Sequence, residues 1–355
     1  QSKVKQYAND VASGSVQKDL NHSAFKSIPI DLPSLEYQKI IGPKLNTLAK
    51  KIELNRQTNQ TLEEMAQAVF KSWFVDFEPT RAKIAAKEEW AKRSLTAKDG
   101  GNDENAGAIF VERAAMATIA GKTVEELDAL PAEQLKSLSS TAALFPETLT
   151  DSELGEIPEG WSWSEIGDEV TVAGGGTPST KKDEFWEGGH INWTSPKDMS
   201  NLTDKILLET GRKITKAGLD KVSSGLLPKD TVLMSSRAPV GYLAISKIPV
   251  AINQGYIAMK CEGALTPEYV VQWAESVMDD IKQRASGTTF AEISKKNFKI
   301  IPVIVPYAEV ISEYSKLIEG FYNQVTENLR ETKSLTEIRD TLLPKLFSGE
   351  IELAG

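Results

Sequence analysis

The stretch VAGGGTPSTKKDEFW, residues 172–186, places three glycines, a Thr-Pro-Ser and two lysines within a dozen positions. This composition raises the question of a loop that cradles nucleotide phosphates. A loop of the G-x-x-x-x-G-K-[ST] type needs a glycine just before its lysine, so that backbone N–H groups can wrap the phosphate. Here Lys181 follows Thr180, Pro178 removes one backbone donor, and the G-x-G-x-x-G pattern is absent as well. The stretch is therefore not predicted to bind a nucleotide.

The same residues are suited to contact with a nucleic acid. A glycine-rich turn allows close backbone approach, Thr177 and Ser179 offer hydroxyls, and Lys181 and Lys182 can contact phosphate oxygens. A plain turn between strands, with solvated lysines, explains the loop at least as well when the loop is considered alone. Other polar stretches must decide between the two interpretations.

Four further stretches carry side chains of the types that read DNA. SPKDMSN follows the predicted strand INWT, SSRAPVG puts an arginine at a strand end, INQGY offers two amides and SGTTF offers two threonines. Arginine pairs well with guanine, and Asn or Gln pairs with adenine. Trp186 and Trp193 lie nearby but are better explained as core residues. We predict DNA contacts from Gly174, Gly175, Gly176, Thr177, Ser179, Lys181, Lys182, Ser195, Lys197, Ser236, Arg237, Asn253, Gln254, Thr288 and Thr289.

Catalytic chemistry has little material in this sequence. The two histidines, His22 and His190, are interpreted as solvated loop residues. The single cysteine, Cys261, excludes an intramolecular disulfide and a multi-cysteine zinc site, and it suits a reducing cytoplasm. The Asn- or Asp-Pro-Pro-aromatic tetrapeptide of an adenine methyltransferase does not occur. We expect neither a catalytic residue nor a bound metal.

An internal repeat at an offset of 273 residues organises the elements that must position these side chains. Residues 13–36 and 286–309 align without a gap, and in both copies a Pro-x-x-x-Pro stretch leads into a long helical pattern. The chain begins inside the first copy, so we expect most of a preceding globular domain to be missing. The identical pairs are Ser13/Ser286, Gly14/Gly287, Phe25/Phe298, Lys26/Lys299, Ile28/Ile301, Pro29/Pro302, Pro33/Pro306 and Glu36/Glu309.

Both helical patterns have heptad spacing over about 40 residues, which predicts a coiled coil about 60 Å long. The alternative is two unrelated amphipathic helices, but a polar seam position, Asn55 and Asn328, repeats as well. The first seam is Ile41, Leu45, Leu48, Ile52, Asn55, Asn59, Leu62, Ala66, Val69 and Trp73. The second seam is Tyr314, Ile318, Phe321, Val325, Asn328, Thr332, Leu335, Arg339 and Leu342.

The composition between the helices changes near residue 155. Residues 86–150 are acidic and predict a partly helical connector, whereas the runs TVLMSS, YLAIS and AINQGYIAMK, separated by turn signals, predict a β-rich domain. Residues 86–164 hold 7 Lys and Arg against 15 Asp and Glu, a net of −8, while residues 165–300 hold 17 of each. The whole-chain charge of −9 therefore leaves the β-rich domain neutral and able to bind a polyanion.

With these features, the chain resembles the specificity subunit of a type I restriction–modification system. The motifs that carry the resemblance are GGGTPS followed by EGGHINWTSPKDM, SSRAPVG, NQG, SGTTFAEISKKNF, QTLEEMAQAVFKSWFVDF and RDTLLPKLFSGEIEL. The resemblance implies an α+β fold with these parts: residues 1–33 as the remnant of a first target-recognition domain, 34–86 as the first long helix, 87–150 as the acidic connector, 151–306 as the second recognition domain and 307–355 as the second long helix.

The resemblance also implies a function. Each recognition domain would read one half of a bipartite site in double-stranded DNA, and the two helices would pair antiparallel as a spacer. The helices would bind two methyltransferase subunits, with restriction and translocase subunits in the full assembly. The chain itself would be non-catalytic and bind no cofactor, because S-adenosylmethionine, ATP and magnesium would serve the partner subunits. The helix residues assigned to these contacts are Asn55, Leu62, Phe70, Asn328, Leu335 and Leu342.

Two alternatives remain open from the residues. A methyltransferase with a fused recognition domain would need cofactor motifs that are absent, and a coiled-coil adaptor would bind protein through its β-rich domain. Salt-dependent DNA binding separates these alternatives, because phosphate contacts lose affinity steeply with salt. No apolar run approaches the roughly 18 residues of a membrane span, and the start of the sequence lacks a signal-peptide core, so we expect a cytoplasmic location without membrane contact.

Overall fold

The structure is a computed structural model of the chain. It describes residues 7, 10, 12, 21–28, 33–96, 104–200, 202–287, 291–348 and 350. Most of the predicted segment 1–33 lies outside these residues, and of the first copy of the repeat the structure describes residues 21–28 and 33–36. The described residues have a mixed fold, with 55% helix and 16% strand, as the α+β prediction requires.

The helices of the described residues differ widely in length, and two are much longer than the rest. The full set of described helices is α1 His22–Lys26, α2 Leu35–Phe74, α3 Glu78–Thr96, α4 Glu104–Ala120, α5 Ala132–Ala143, α6 Ile166–Glu169, α7 Pro196–Met199, α8 Lys216–Leu219, α9 Pro267–Ser276, α10 Met278–Gln283, α11 Lys295–Lys299 and α12 Ala308–Ser348, with 3-10 turns at Glu126–Ala129 and Asp183–Phe185. Helices α2 and α12 have 40 and 41 residues, so the predicted length of about 40 is confirmed.

The internal repeat is visible in the local structure. Helices α1 and α11 begin 273 residues apart, and so do α2 and α12. The N-cap side chains correspond too: Asn21 accepts from the N–H of Ala24, and Ser294 accepts from the N–H of Asn297. A side-chain oxygen at this position satisfies one of the free N–H groups of the first turn. The repeated sequence therefore encodes a repeated short helix followed by a repeated long one.

The chain forms two compact units, one of residues 1–57 with 328–355 and one of residues 58–327. In the first unit α2 and α12 run antiparallel: Lys51 Nζ lies 3.0 Å from Glu331 Oε2, and Asn55 Nδ2 donates to the carbonyl oxygen of Asn328 at 3.4 Å. The two seam asparagines are 2% and 6% exposed. The polar position that repeats in the two seams is therefore a pair of neighbours in the structure.

The second unit contains the sheets of the β-rich domain. Its strands are β1 Leu149–Ser152, β2 Gly155–Pro158, β3 Ser162–Glu165, β4 Thr171–Ala173, β5 Ile191–Thr194, β6 Ile206–Leu207, β7 Arg212–Ile214, β8 Thr231–Ser235, β9 Leu243–Ser246, β10 Ala251–Ile252, β11 Tyr256–Lys260 and β12 Pro302–Val305. A five-stranded sheet has the order β4-β11-β8-β9-β6, with only β6–β9 parallel. A three-stranded sheet has the order β10-β5-β7, and β1–β2 and β3–β12 form antiparallel pairs.

The segment predicted as a connector is a helical layer with a core of its own. Ala115, Met116, Leu127 and Ala142 from α4, the 3-10 turn and α5 are buried together. Gly107 on α4 lies against Trp90 of α3 so closely that a Cβ would come within 2.7 Å of the indole nitrogen. Glycine at this position therefore lets the two helices meet. The layer is more ordered than its acidic, loop-like composition indicates.

An aromatic cluster joins the helices to the β-rich domain within the second unit. Phe70 and Phe74 of α2 lie 5.1 and 4.9 Å from the ring of Tyr269 in α9, and Phe74 lies 5.0 Å from Tyr314 in α12. All four rings are at most 3% exposed. Burial of such side chains contributes about 1.5–3 kcal/mol each, so this cluster is a main source of cohesion.

Candidate nucleic-acid interface

The glycine loop after β4 is held against the backbone of β10. The N–H of Gly176 donates to the carbonyl oxygen of Ile252 at 2.9 Å, and a Cβ on Gly175 would lie only 1.9 Å from that oxygen. Ser223 Oγ donates to the carbonyl oxygens of Gly174 and Gly175 at 2.9 and 3.1 Å. The close backbone approach that the glycines predict is therefore an approach to the protein's own strand, which fixes the loop in place.

The fixed loop brings Thr177 next to the NQG turn. Thr177 Oγ1 donates to Gln254 Oε1 at 2.7 Å, and both side chains are exposed. The N–H of Asn253 donates to the carbonyl oxygen of Thr194 at 3.0 Å, which places the turn beside the end of β5. Residues that are about 77 positions apart in sequence thus meet on one surface.

Ser195 and Lys197 belong to a short capped helix at the end of β5. The backbone N–H of Ser195 donates to Asp198 Oδ2 at 2.8 Å as part of a capping box, and Ser195 Oγ donates to the same oxygen at 3.2 Å. The other carboxylate oxygen of Asp198 accepts from the N–H of Gly211 at 2.9 Å. Lys197, one residue before Asp198, is exposed. Asp198, which was not predicted, holds this loop in position.

Ser236 and Arg237 follow the end of β8. Ser236 is 3% exposed, and its N–H donates to the carbonyl oxygen of Gly255 at 2.8 Å, so it contributes backbone bonds rather than a free hydroxyl. Arg237 remains about a third exposed, and its Nη1 lies 3.5 Å from Glu292 Oε2. In this state the guanidinium is held by a carboxylate that a DNA base or phosphate would have to displace.

The loops meet at Gly255. A Cβ there would lie 3.1 Å from Pro196 Cγ, 3.2 Å from Asn253 Oδ1 and 3.5 Å from Arg237 Nε. The structure therefore brings together the loops after β5, β8 and β10, and Thr177 of the glycine loop joins them through Gln254. Thr288 and Thr289 lie outside the described residues, but Ser286 and Glu292, which flank them, pair through two backbone bonds of 3.0 Å.

The lysines of the glycine loop are exposed, but the two differ in their surroundings. Lys182 Nζ lies 3.2 Å from Glu184 and 5.3 Å from the centroid of the Phe185 ring. Lys181 is exposed beside it. Ser179 accepts at its carbonyl oxygen from the indole N–H of Trp186 at 3.1 Å. Lys181 is therefore the better placed of the two lysines for an external anion.

Two cations that were not predicted flank the glycine loop. The guanidinium of Arg212 lies 3.5 Å above the ring of Trp186, which in turn meets Trp193 edge to face at 5.2 Å. The Lys295 Nζ is close enough to Gly174 that a Cβ there would lie 2.9 Å away. Trp193 is buried and Trp186 is covered by Arg212, so the preference for a core role over base stacking is consistent with their positions.

Two ionisable groups of the β-rich domain are held neutral by burial. Burial raises the pKa of the Tyr256 hydroxyl, which lies 3.1 Å from Thr194 Oγ1, and raises the pKa of the Cys261 thiol to about 12. A thiol with so high a pKa is not a nucleophile at neutral pH. His22 and His190 are exposed. Within the described part of the chain, no group of three or more His, Cys, Asp or Glu residues is arranged to hold a metal ion.

Comparison with known proteins gives the family. The model of the type I restriction modification DNA specificity domain matches residues 2–64 and 158–336, which is well over half of the chain. This chain belongs to the type I restriction–modification specificity subunits. It is 33% identical over 343 residues to the type I restriction enzyme HindI specificity subunit of Haemophilus influenzae, covering 94% of this chain and 71% of that protein.

A second specificity subunit and a solved structure agree. The chain is 31% identical over 201 residues to the type I restriction enzyme MjaIX specificity subunit of Methanocaldococcus jannaschii, covering 56% of this chain and 45% of that protein. The crystal structure of a type I restriction–modification S subunit from M. genitalium matches 99% of this chain and 73% of its own, with 15% identity and a TM-score of 0.52. That structure shows a shared fold.

The helix residues predicted for a specificity subunit have different surroundings. Asn55 is bonded across the seam, its Nδ2 also donating to Glu331 Oε2 at 2.8 Å and to Thr332 Oγ1 at 3.3 Å. The hydrogen bond from Asn55 and, to a smaller extent, that from Lys51 hold the pKa of the Glu331 carboxyl below its usual value. Phe70 lies in the aromatic cluster, whereas Leu62, Leu335 and Leu342 are half-buried.

Two further observations concern the rest of this specificity subunit. The family match omits residues 65–157, so the helical layer of α3, α4 and α5 lies outside the shared domain. No helix among the described residues is both long and apolar enough to cross a membrane.

Proposed function

We propose that residues 151–306 read one half of a bipartite site in double-stranded DNA. The observation that carries this proposal is the convergence of the predicted polar residues at Gly255, where Asn253 and Arg237 lie within 3.5 Å of the point that a Cβ atom on this glycine would occupy. Arginine and asparagine are the side chains that pair with guanine and adenine in the major groove. A surface built from several loops on a fixed sheet suits such readout, because the scaffold holds each side chain in place.

The cations around this surface would position the duplex. Lys181, Lys295 and Arg212 lie on or beside the glycine loop, and phosphate contacts of this kind set the register without reading sequence. The neutral charge balance of residues 165–300 leaves these cations free to act locally. The loops would then read bases while the cations hold the backbone.

The chain would act without catalysing a reaction or binding a cofactor. Its role would be to direct two methyltransferase subunits, which would use S-adenosylmethionine, and restriction and translocase subunits, which would use ATP and magnesium. The raised pKa of the Cys261 thiol and the exposed, separate histidines support this division of labour. The antiparallel segments of α2 and α12 would serve as a spacer, and their half-buried leucines would contribute to the surface for the partner subunits.

A methylome comparison tests the proposal. Cells that express the subunit should carry a bipartite methylated motif that cells without it lack. Replacing residues 151–306 by the equivalent residues of another specificity subunit should change one half of the motif and leave the other half unchanged. Replacing residues 104–143 of the helical layer instead is the control, and it should leave the motif as it is. A motif that survives loss of the chain would refute the proposal.

A further inference from the structure

A buried polar node lies beside the aromatic cluster of the second unit. Glu63 Oε1 of α2 accepts from Lys205 Nζ at 2.7 Å and from Gln272 Nε2 at 2.9 Å, and Gln272 Nε2 also donates to the hydroxyl of Tyr322 at 2.7 Å. Gln272 and Tyr322 are each 1% exposed, and the side chains of Glu63 and Lys205 are 19% and 15% exposed. The node therefore ties α2, the segment before β6, α9 and α12 together.

Much of the cohesion of this region comes from the aromatic cluster rather than from the node. The rings of Phe70, Phe74, Tyr269 and Tyr314 are packed against each other a few turns away, and burial of apolar surface is not directional. A buried ion pair loses much of its attraction to the desolvation of its charges, and an apolar replacement of the same volume is often neutral or stabilising. The hydrogen bonds of the node constrain the relative orientation of the elements that they join, because such bonds prefer a nearly linear geometry and weaken steeply at small angles.

The node acts on the sheet that carries the candidate DNA surface. The carbonyl oxygen of Lys205 accepts from the N–H of Ile245 at 2.8 Å, so this residue is bonded to the helices by its side chain and to β9 by its backbone. The sheet runs from β6 through β9, β8 and β11 to β4, where the glycine loop begins. A rotation at the β6 edge would therefore be carried across the sheet to Thr177 and Arg237.

We propose that Glu63 is a positioning residue, whose bonds to Lys205 and Gln272 fix the angle between the recognition domain and the helical segments of its own unit. This inference rests on the proposed function, since the angle would decide which spacer lengths between the two half-sites the assembled complex accepts. Loss of the node would leave base readout intact and widen the range of spacers. The residues that read bases and the residues that set spacing are then different residues.

A matched pair of substitutions tests this role. Lys205→Met removes the cation from the node, whereas Lys247→Met removes a cation of equal burial whose ion pair, at 2.7 Å from Asp230, lies inside the domain. A third variant, Glu63→Leu with Lys205→Met, removes both charges together and should keep the fold. Each subunit is assembled with its methyltransferase partners and used to methylate a DNA library in which the distance between the half-sites varies.

The expected result is a change in spacing alone. Lys205→Met and the double variant should methylate sites one base pair longer or shorter at about tenfold higher relative rates than the wild type, the scale of a lost charge-assisted bond. Their half-site bases should be unchanged, and Lys247→Met should keep the wild-type spacer. An unchanged spacer profile in both node variants would overturn the inference, as would equal broadening in Lys247→Met. A wild-type complex without half-site preference would overturn the proposed function and the inference with it.

Discussion

At the residue scale, the sequence indicates which residue types could contact DNA, but it does not indicate which of those residues contact one another. The sequence places Arg237 at the end of a predicted strand and Asn253 and Gln254 in a turn, because strand and turn patterns are local. It does not indicate Arg212 or Glu292, which act through pairing across strands and loops and so depend on long-range register that one sequence does not display. Asp198 was missed although its spacing from Ser195 is the local signature of a capping box.

The sequence predicts that the glycines allow close backbone approach, but it does not show what they approach, because that contact is also long-range. Close backbone approach was expected, but the approach is to the carbonyl oxygen of Ile252, 77 residues away from Gly175, and not to a ligand. A Cβ at Gly175 would lie 1.9 Å from that backbone atom, which is held in a strand and cannot give way. At Gly174 the obstacle is only the flexible end of Lys295.

These two glycines give a stability prediction with its own control. Gly175→Ala should lower the free energy of unfolding by about 1–3 kcal/mol, because overpacking forces the loop away from β10. Gly174→Ala should change it by about 0.5 kcal/mol or less, since the lysine tip can move. Chemical denaturation of both variants measures the difference. Equal losses of stability would show that the contact with Ile252 does not hold the loop.

At the element scale, periodic patterns were the most reliable signal. Heptad spacing predicted both long helices, and the repeat at an offset of 273 fixed where each begins, because helix starts are encoded by adjacent caps and prolines. The end of the first helix was less evident. Helix α2 ends at Phe74, and Phe77 has a φ of 53°, before α3 begins at Glu78. The apolar pattern continues through this break, so periodicity alone does not mark it.

The sheets were predicted as strands without their order. The runs around residues 231–260 are strands, but the parallel pairing of β10 with β5 and of β6 with β9 joins segments far apart in sequence. Likewise, the acidic composition of the connector did not reveal the helical layer. Its buried residues are mostly alanines, whose small side chains give a weak periodic signal.

The paired asparagines give the prediction at this scale. Four residues inserted after both Asn55 and Asn328 would add about one turn, or 6 Å, to each helix while keeping the antiparallel seam in step. At about 3.4 Å per base pair, the preferred spacer should lengthen by one or two base pairs with the half-site bases unchanged. Methylome sequencing of the variant reads both quantities. Altered half-site bases with an unaltered spacer would show that the length of these helices does not set the distance between the half-sites.

At the scale of the whole molecule, the net negative charge argues against DNA binding unless its distribution along the chain is considered. Of the net charge of −9, a net of −8 lies in residues 86–164, which include most of the helical layer, whereas residues 165–300 of the recognition domain are neutral. Charges separated by more than about 10 Å are largely screened at physiological salt, so the cations beside the glycine loop act locally. The family, the α+β class and the paired helices were all predictable from sequence motifs, whereas the node at Glu63 required the assembled fold.

The central claim is that the loops meeting at Gly255 read DNA bases, and two substitutions test it most directly in the assembled complex. Arg237→Ala should weaken binding by about 1–3 kcal/mol and relax the preference at one position of one half-site. Lys181→Ala should weaken binding to all sequences alike and reduce the salt dependence by roughly one ion. Titration against a library of single-base variants at several salt concentrations measures both. The account predicts this separation, and it would be contradicted if Arg237→Ala left the preference at every position unchanged.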